Sequence, residues 1–268
     1  MSLSFTQAYP AAPDTFYQTP RPEPSLFQTA PQSEIERNLL EHELVIEALD
    51  QLRKHLSREY FYHCLEHTSS VIVNAIRCAV LDGASTRDLE LVAIAAAWHD
   101  TGFLIQRDHN EPVGASMAIA AMRRHSGYSE SEITDVETAI LDTQVQPNKE
   151  LGCMTQTARG RLSAWVLDGD LSNFGHTEFL EVSLLLLREF TGVEIKAAQD
   201  LRNPKAIEFL AGSIRMLNAH RFLSRGGQTL FHNQKLRNFE LTSRVLANAI
   251  NGTPESLQKA WEAAHSVL

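Results

Sequence analysis

Between Leu91 and Trp98 the chain reads Leu-Val-Ala-Ile-Ala-Ala-Ala-Trp, apolar on every side of a helix. Such a helix is stable only where other elements cover it, so this segment has to run through the middle of a domain. The 268-residue chain is long enough to supply that cover. Ile35, Leu39, Val45, Ile46, Leu49, Leu52 and Leu56 share a face and predict a helix over 33–56, opened by the capping pair Ser33 and Glu36. Further helices are predicted at about 64–82, 86–99, from Pro112 to near Ser126, and 130–143 behind a second capping pair, Ser129 and Glu132. Others follow at about 157–170, 176–191, 204–222, 233–251 and 254–266, the sequences Asn203-Pro204 and Thr253-Pro254 each giving a cap followed by proline. Sustained alternation is absent and hairpin signals are weak. The expectation is an all-α fold, a single helical domain over 33–268 with no internal repeat.

Residues 1–32 hold six of the ten prolines, with Gln, Ser and Thr between them. A segment of that composition buries too little apolar surface to offset its ordering entropy, so a disordered, proline-rich N-terminal tail is expected. Phe5, Phe16, Tyr17 and Phe27 are the tail's candidates for docking on the domain or on a partner. A formal charge of −9 argues against a general grip on nucleic acid, although a local basic pocket for one small anion remains open. No apolar run approaches the roughly 20 residues that span a bilayer, and with no basic stretch followed by an apolar one near residue 1 a secretory signal is not expected. Cys64, Cys78 and Cys153 form no CxxC pair and are odd in number, which fits reduced thiols in a cytoplasmic protein.

The chemistry-bearing residues are His63, His67, the pair His99-Asp100, and Asp170, with Asp168 as the alternative to Asp170. Imidazole and carboxylate together make a borderline-hard set for a divalent cation. A single His-Asp pair or His-x-x-x-His spacing carries little weight, because either arises by chance in a chain of this composition. Position carries more. His99-Asp100 ends the apolar helix, where an unpartnered carboxylate would cost several kcal/mol and a bound cation is one of the few remedies. His63 and His67, four apart, fall on one face if both are helical.

The order His67-Thr68-Ser69-Ser70-Val71, His99-Asp100, Asp170-Leu171 resembles the H…HD…D signature of the HD-domain metal-dependent phosphohydrolases. It is most similar to a branch of predicted HD phosphohydrolases with a Tyr-His start, an Asn-Glu pair after the HD, an Asp-x-Asp-Leu-Ser turn and a Leu-Arg-containing helix. Here these are Tyr62-His63, Asn110-Glu111, Asp168-Gly169-Asp170-Leu171-Ser172 and Leu187-Arg188-Glu189-Phe190, so the resemblance covers roughly residues 33–250. It implies an HD-type helical bundle and metal ligation by His67, His99, Asp100 and Asp170. It implies His63 as proton donor or phosphate contact. Glu111 would then orient water or hold a ligand histidine in its tautomer. The ion would be Mn, Fe, Co, Ni or Zn, with Mg less suited, and the substrate a small phosphomonoester or phosphodiester, a nucleotide among the candidates. Oligomeric state is left open.

Two other classes fit the pattern: a catalytically silent HD module for ligand sensing or protein interaction, and an HD-type metal-dependent oxygenase. The oxygenase needs two more histidines, for which His109 and His125 are the only candidates between the HD and Asp170. The chain lacks the His-His-Glu and Gly-Tyr-Pro of the cyclic-dinucleotide phosphodiesterases. Arg123-Arg124, Arg188 and Arg225-Gly226-Gly227 read as surface and loop.

Overall fold

The computed structural model describes residues 24–27 and 29–265. Among these the fold is all-α, with eleven α-helices and one short hairpin. Helices α1 (Glu34–Leu40), α2 (Glu43–His55), α3 (Leu65–Leu81), α4 (Thr86–Trp98), α5 (Asn110–Arg124) and α6 (Glu130–Asp142) lead to strands β1 (Gln146–Asn148) and β2 (Cys153–Thr155). Helices α7 (Ser163–Asp170), α8 (Phe179–Thr191), α9 (Pro204–Ala219), α10 (Arg225–Asn251) and α11 (Pro254–His265) follow.

Helix α4 is the axis, as its composition requires. Leu91 through Ala97 are fully buried, and α2, α3, α5, α6 and α7 surround them. Trp98 closes the helix by donating its indole N–H to the Leu44 carbonyl of α2 at 3.0 Å. Helix α3 packs against both α4 and α7. Gly169 makes that second contact possible: a Cβ there would meet Ala75 Cβ at 2.7 Å and the Val71 carbonyl at 2.9 Å. A second apolar cluster, with Leu201, Leu210, Val245 and Leu257, joins α8–α11.

Several boundaries differ from expectation, each for a local reason. The helix predicted over 33–56 is two helices, because His42 adopts an extended backbone and caps α2, its Nδ1 accepting from the Leu44 N–H at 3.3 Å. The Ser33–Glu36 pair is only half reciprocal: Ser33 accepts from the Glu36 N–H, but the Glu36 carboxylate goes to the Gln32 N–H and Arg77. The Ser129–Glu132 box is complete. Helix α7 starts at Ser163 because the Asp142 carboxylate first takes the N–H groups of Arg159 and Gly160. Helix α10 starts at Arg225, eight residues early, so Arg225-Gly226-Gly227 is its first turn and not a loop, with both glycines buried. The hairpin was unforeseen.

Of the expected tail, residues 1–23 and 28, with Phe5, Phe16 and Tyr17, lie outside the described residues. The remainder lies on the domain. Pro24–Phe27 form a 3-10 turn, Phe27 is buried against Tyr62, Cys64 and Val182, and Thr29 hydrogen bonds Ser70. Folded contacts therefore begin before residue 33. No described helix is long and apolar enough to cross a membrane.

Candidate metal centre

Three helices deliver the expected ligands to one point. His67 lies in the first turn of α3, His99 and Asp100 end α4, and Asp170 is the last residue of α7. The turn after Asp100 is held against the start of α5 by Gly102, where a Cβ would lie 1.9 Å from the Asn110 carbonyl oxygen. His67 Nε2 stands 3.5 Å from Asp100 Oδ2 and 3.4 Å from Asp170 Oδ1. His99 Nε2 stands 3.2 and 3.5 Å from the same two oxygens. A cation with bonds of about 2.1 Å separates neighbouring donors by roughly 3.0–3.5 Å, so the spacing fits.

The donor atoms are also orphans. His67 Nε2, His99 Nε2 and Asp100 Oδ2 are buried without a hydrogen-bond partner, a costly arrangement unless something completes it. His67, His99 and Asp100 thus form a group that can hold a metal ion, and no other such group of three occurs among the described residues. Hydrogen bonds around the cluster orient two of its members. His99 Nδ1 donates to the Ala96 carbonyl at 2.7 Å, leaving Nε2 as the ligating nitrogen. Gln156, after β2, donates to Asp170 Oδ2 at 2.6 Å and to the Thr143 carbonyl, turning the other carboxylate oxygen toward the histidines.

Electrostatics agree. Burial alone would raise the Asp170 carboxyl, yet the imidazoles of His67 and His99 hold it far below the usual carboxylate range. Burial disfavours an imidazolium at His99, but the adjoining Asp100 carboxylate overrides this and lifts its pKa well above the ordinary value. The cluster is a field of negative charge that attracts protons when it lacks a cation.

His63 does not share a helix with His67, because Cys64 is the extended N-cap of α3. It reaches the site from the preceding loop, its ring stacked on Phe103 at 4.4 Å and 6.0 Å from the His67 ring. Its Nδ1 meets Glu189 Oε1 at 2.6 Å, while Glu189 Oε2 accepts the N–H groups of Tyr62 and His63. Burial lowers the His63 pKa, but the Glu189 charge outweighs it and the net shift is upward. Arg107 adds a hydrogen bond to the Glu189 carbonyl.

Glu111, in the first turn of α5, stands within electrostatic reach of Asp100 and Asp170; burial first, then their charge, raises its pKa. The Ala96 carbonyl, and not Glu111, fixes the His99 tautomer. Asp168 is no ligand. Its carboxylate accepts from the Leu223 N–H, the Ser224 N–H and the Ser224 hydroxyl, pinning the start of α10. Arg188 pairs with Glu194 and covers Phe61, and His125 pairs with Glu43 and Glu47, so both are taken up away from the cluster.

Glu189 and Gln156 were given no role from sequence, and Phe27 was read only as a candidate for docking on the domain or on a partner. Glu189 had a signal: it follows Val182 by seven and Leu186 by three, a charge on the apolar stripe of α8. Gln156 had none. A scan against protein-family models and searches of curated proteins and solved structures returned no match for this chain.

Proposed function

We propose that the protein is a divalent-metal-dependent phosphohydrolase acting on a small phosphomonoester or phosphodiester, a nucleotide among the candidates. The observation that carries the reading is the convergence of three orphaned buried donor atoms and Asp170 beside a carboxylate-backed histidine. Two imidazoles and two carboxylates suit Mn, Fe, Co, Ni or Zn better than Mg. When bound, the cation supplies Lewis acidity toward a phosphoryl oxygen and brings water within reach of ionisation near neutral pH.

The chain's own residues do the rest. Glu189 orients His63 through Nδ1 and keeps it protonated, so Nε2 carries the proton a leaving oxygen needs. Glu111, with its raised pKa, accepts a proton from water or substrate at the edge of the cluster. The stacked Phe103 ring shields the imidazolium from bulk solvent on one side. Metal analysis of wild type and Asp100→Ala, paired with p-nitrophenyl phosphate and bis-p-nitrophenyl phosphate assays, tests the reading. Metal and hydrolysis are expected together in wild type and lost together in the variant; equal metal content in both proteins refutes it.

A further inference from the structure

The loop before α10 and the first turns of that helix gather basic groups with no acid among them. A surface cavity of about 510 Å³ is lined by Arg221, Phe222, Arg225, Gln228, Thr229 and His232. Neither arginine nor His232 makes an ion pair with any described residue. Behind the cavity lies Lys235, an almost fully buried ammonium whose contacts are the His220 carbonyl at 2.6 Å and the face of Phe222. The Arg221 guanidinium donates to that same carbonyl at 2.8 Å. Two cations converging on one neutral oxygen repel each other, and burial of one without a counter-ion is unfavourable. His220 Nδ1 is also buried and unpartnered, and burial with the charges of Lys235 and Arg221 pushes its pKa down to about 3.

The two carboxylates that hydrogen bond around this loop are already engaged. Asp82 is used by the Gly226 N–H and the Trp165 indole, and Asp168 by Leu223 and Ser224. Burial and the Arg221 charge lower the Lys235 pKa to about 8, and this local positive charge, in a chain of formal charge −9, makes the cavity a favourable place for an anion. We propose that this cavity binds the phosphoryl group of a small phosphorylated molecule, held by Arg221 and Arg225 with His232 at the edge and the less polar part of the ligand on Phe222. Arginine is suited to this by its planar array of donors. The site shares no residue with the His67–His99–Asp100 cluster and does not depend on the hydrolase reading.

Isothermal titration with inorganic phosphate and with AMP tests it, using the full chain as wild type, Arg221→Gln/Arg225→Gln and Asp100→Asn, all in chelator. Wild type and Asp100→Asn should bind alike, with affinity falling as salt rises, and the double variant should bind at least about tenfold more weakly. AMP binding more tightly than phosphate places the organic part on Phe222. Circular dichroism of the double variant, whose substitutions lie on exposed side chains, checks folding. Arg221→Lys/Arg225→Lys, which keeps the charge, should recover part of the binding. No binding by wild type, or binding lost in Asp100→Asn but kept in the double variant, overturns the proposal.

Discussion

Asp168 and Asp170 sit two residues apart on one short helix, and replacing each with alanine separates a structural carboxylate from a proposed metal ligand. Asp168→Ala strands three donors, of which the Ser224 N–H and hydroxyl are buried. Each buried donor left unsatisfied costs about 1–3 kcal/mol. Part of this is returned, because burial pushes the Asp168 carboxyl up to about 6 and makes its ionised form unfavourable near neutrality. The expected net loss is about 2–4 kcal/mol. The raised pKa also sets a sign. Stability contributed by protonating Asp168 is lost as pH rises through about 6 and fully present below the ordinary 3.8, so the gap to wild type widens as pH falls from 8 to 5. Asp170→Ala behaves differently. Ligand excess of about 100 times Kd adds about 2.7 kcal/mol to a protein that binds it only when folded. Urea denaturation with and without Mn or Zn should show that increment in wild type and Asp168→Ala and none in Asp170→Ala. The reverse result, metal response kept by Asp170→Ala and lost by Asp168→Ala, refutes the ligand assignment.

Glu189→Gln removes the charge that raises the His63 pKa, so the alkaline limb of the kcat profile and the His63 NMR titration should move to lower pH, with metal content unchanged; an unmoved limb excludes His63 as the proton donor. Gly102→Ala drives a Cβ into the Asn110 carbonyl oxygen and should cost about 3 kcal/mol or more in urea denaturation while weakening metal binding, because the displaced turn begins at Asp100. Phe27→Ala removes a buried ring that meets Tyr62 and His67 edge-on, and a loss of about 2–4 kcal/mol is expected. A Phe27→Ala protein as stable as wild type would place residues 24–32 outside the cooperative unit.

Local pattern announced the helices and distance hid the loops. The apolar run of α4 dictated its central place, and the Ser129–Glu132 spacing gave a complete capping box. What failed were junctions set by partners far along the chain. Glu36 turns to Arg77, forty-one residues on, in preference to its own cap, and the start of α10 is fixed by Asp168 from another helix. The same rule held at the site. The convergence of His67, His99, Asp100 and Asp170 was legible because donors suited to a cation occurred at helix ends. Gln156 was not, since nothing local marks a glutamine that will meet a carboxylate fourteen residues later. Phe27 was weighed as a docking group, but its place on His67 depends on tertiary contacts alone.

The two halves of the site stand on different ground, and this bears on how each can move. The ligands end α4 and α7 or begin α3, elements packed on one another in the largest apolar cluster, where close packing resists even small displacements of the donor atoms. His63 is held otherwise. Its loop is fixed by one carboxylate, Glu189, on a helix belonging to other clusters, and by Arg107 with much of its side chain in solvent. On the proposed function, the candidate ligands keep a fixed geometry, while His63, held by the Glu189 carboxylate and the Phe103 ring, is the group that adjusts to substrate. The division follows from the chain itself: the apolar helix that most constrains the fold is the one that ends in His99-Asp100, so the metal donors inherit the core's stiffness, and the histidine supplied by a loop does not.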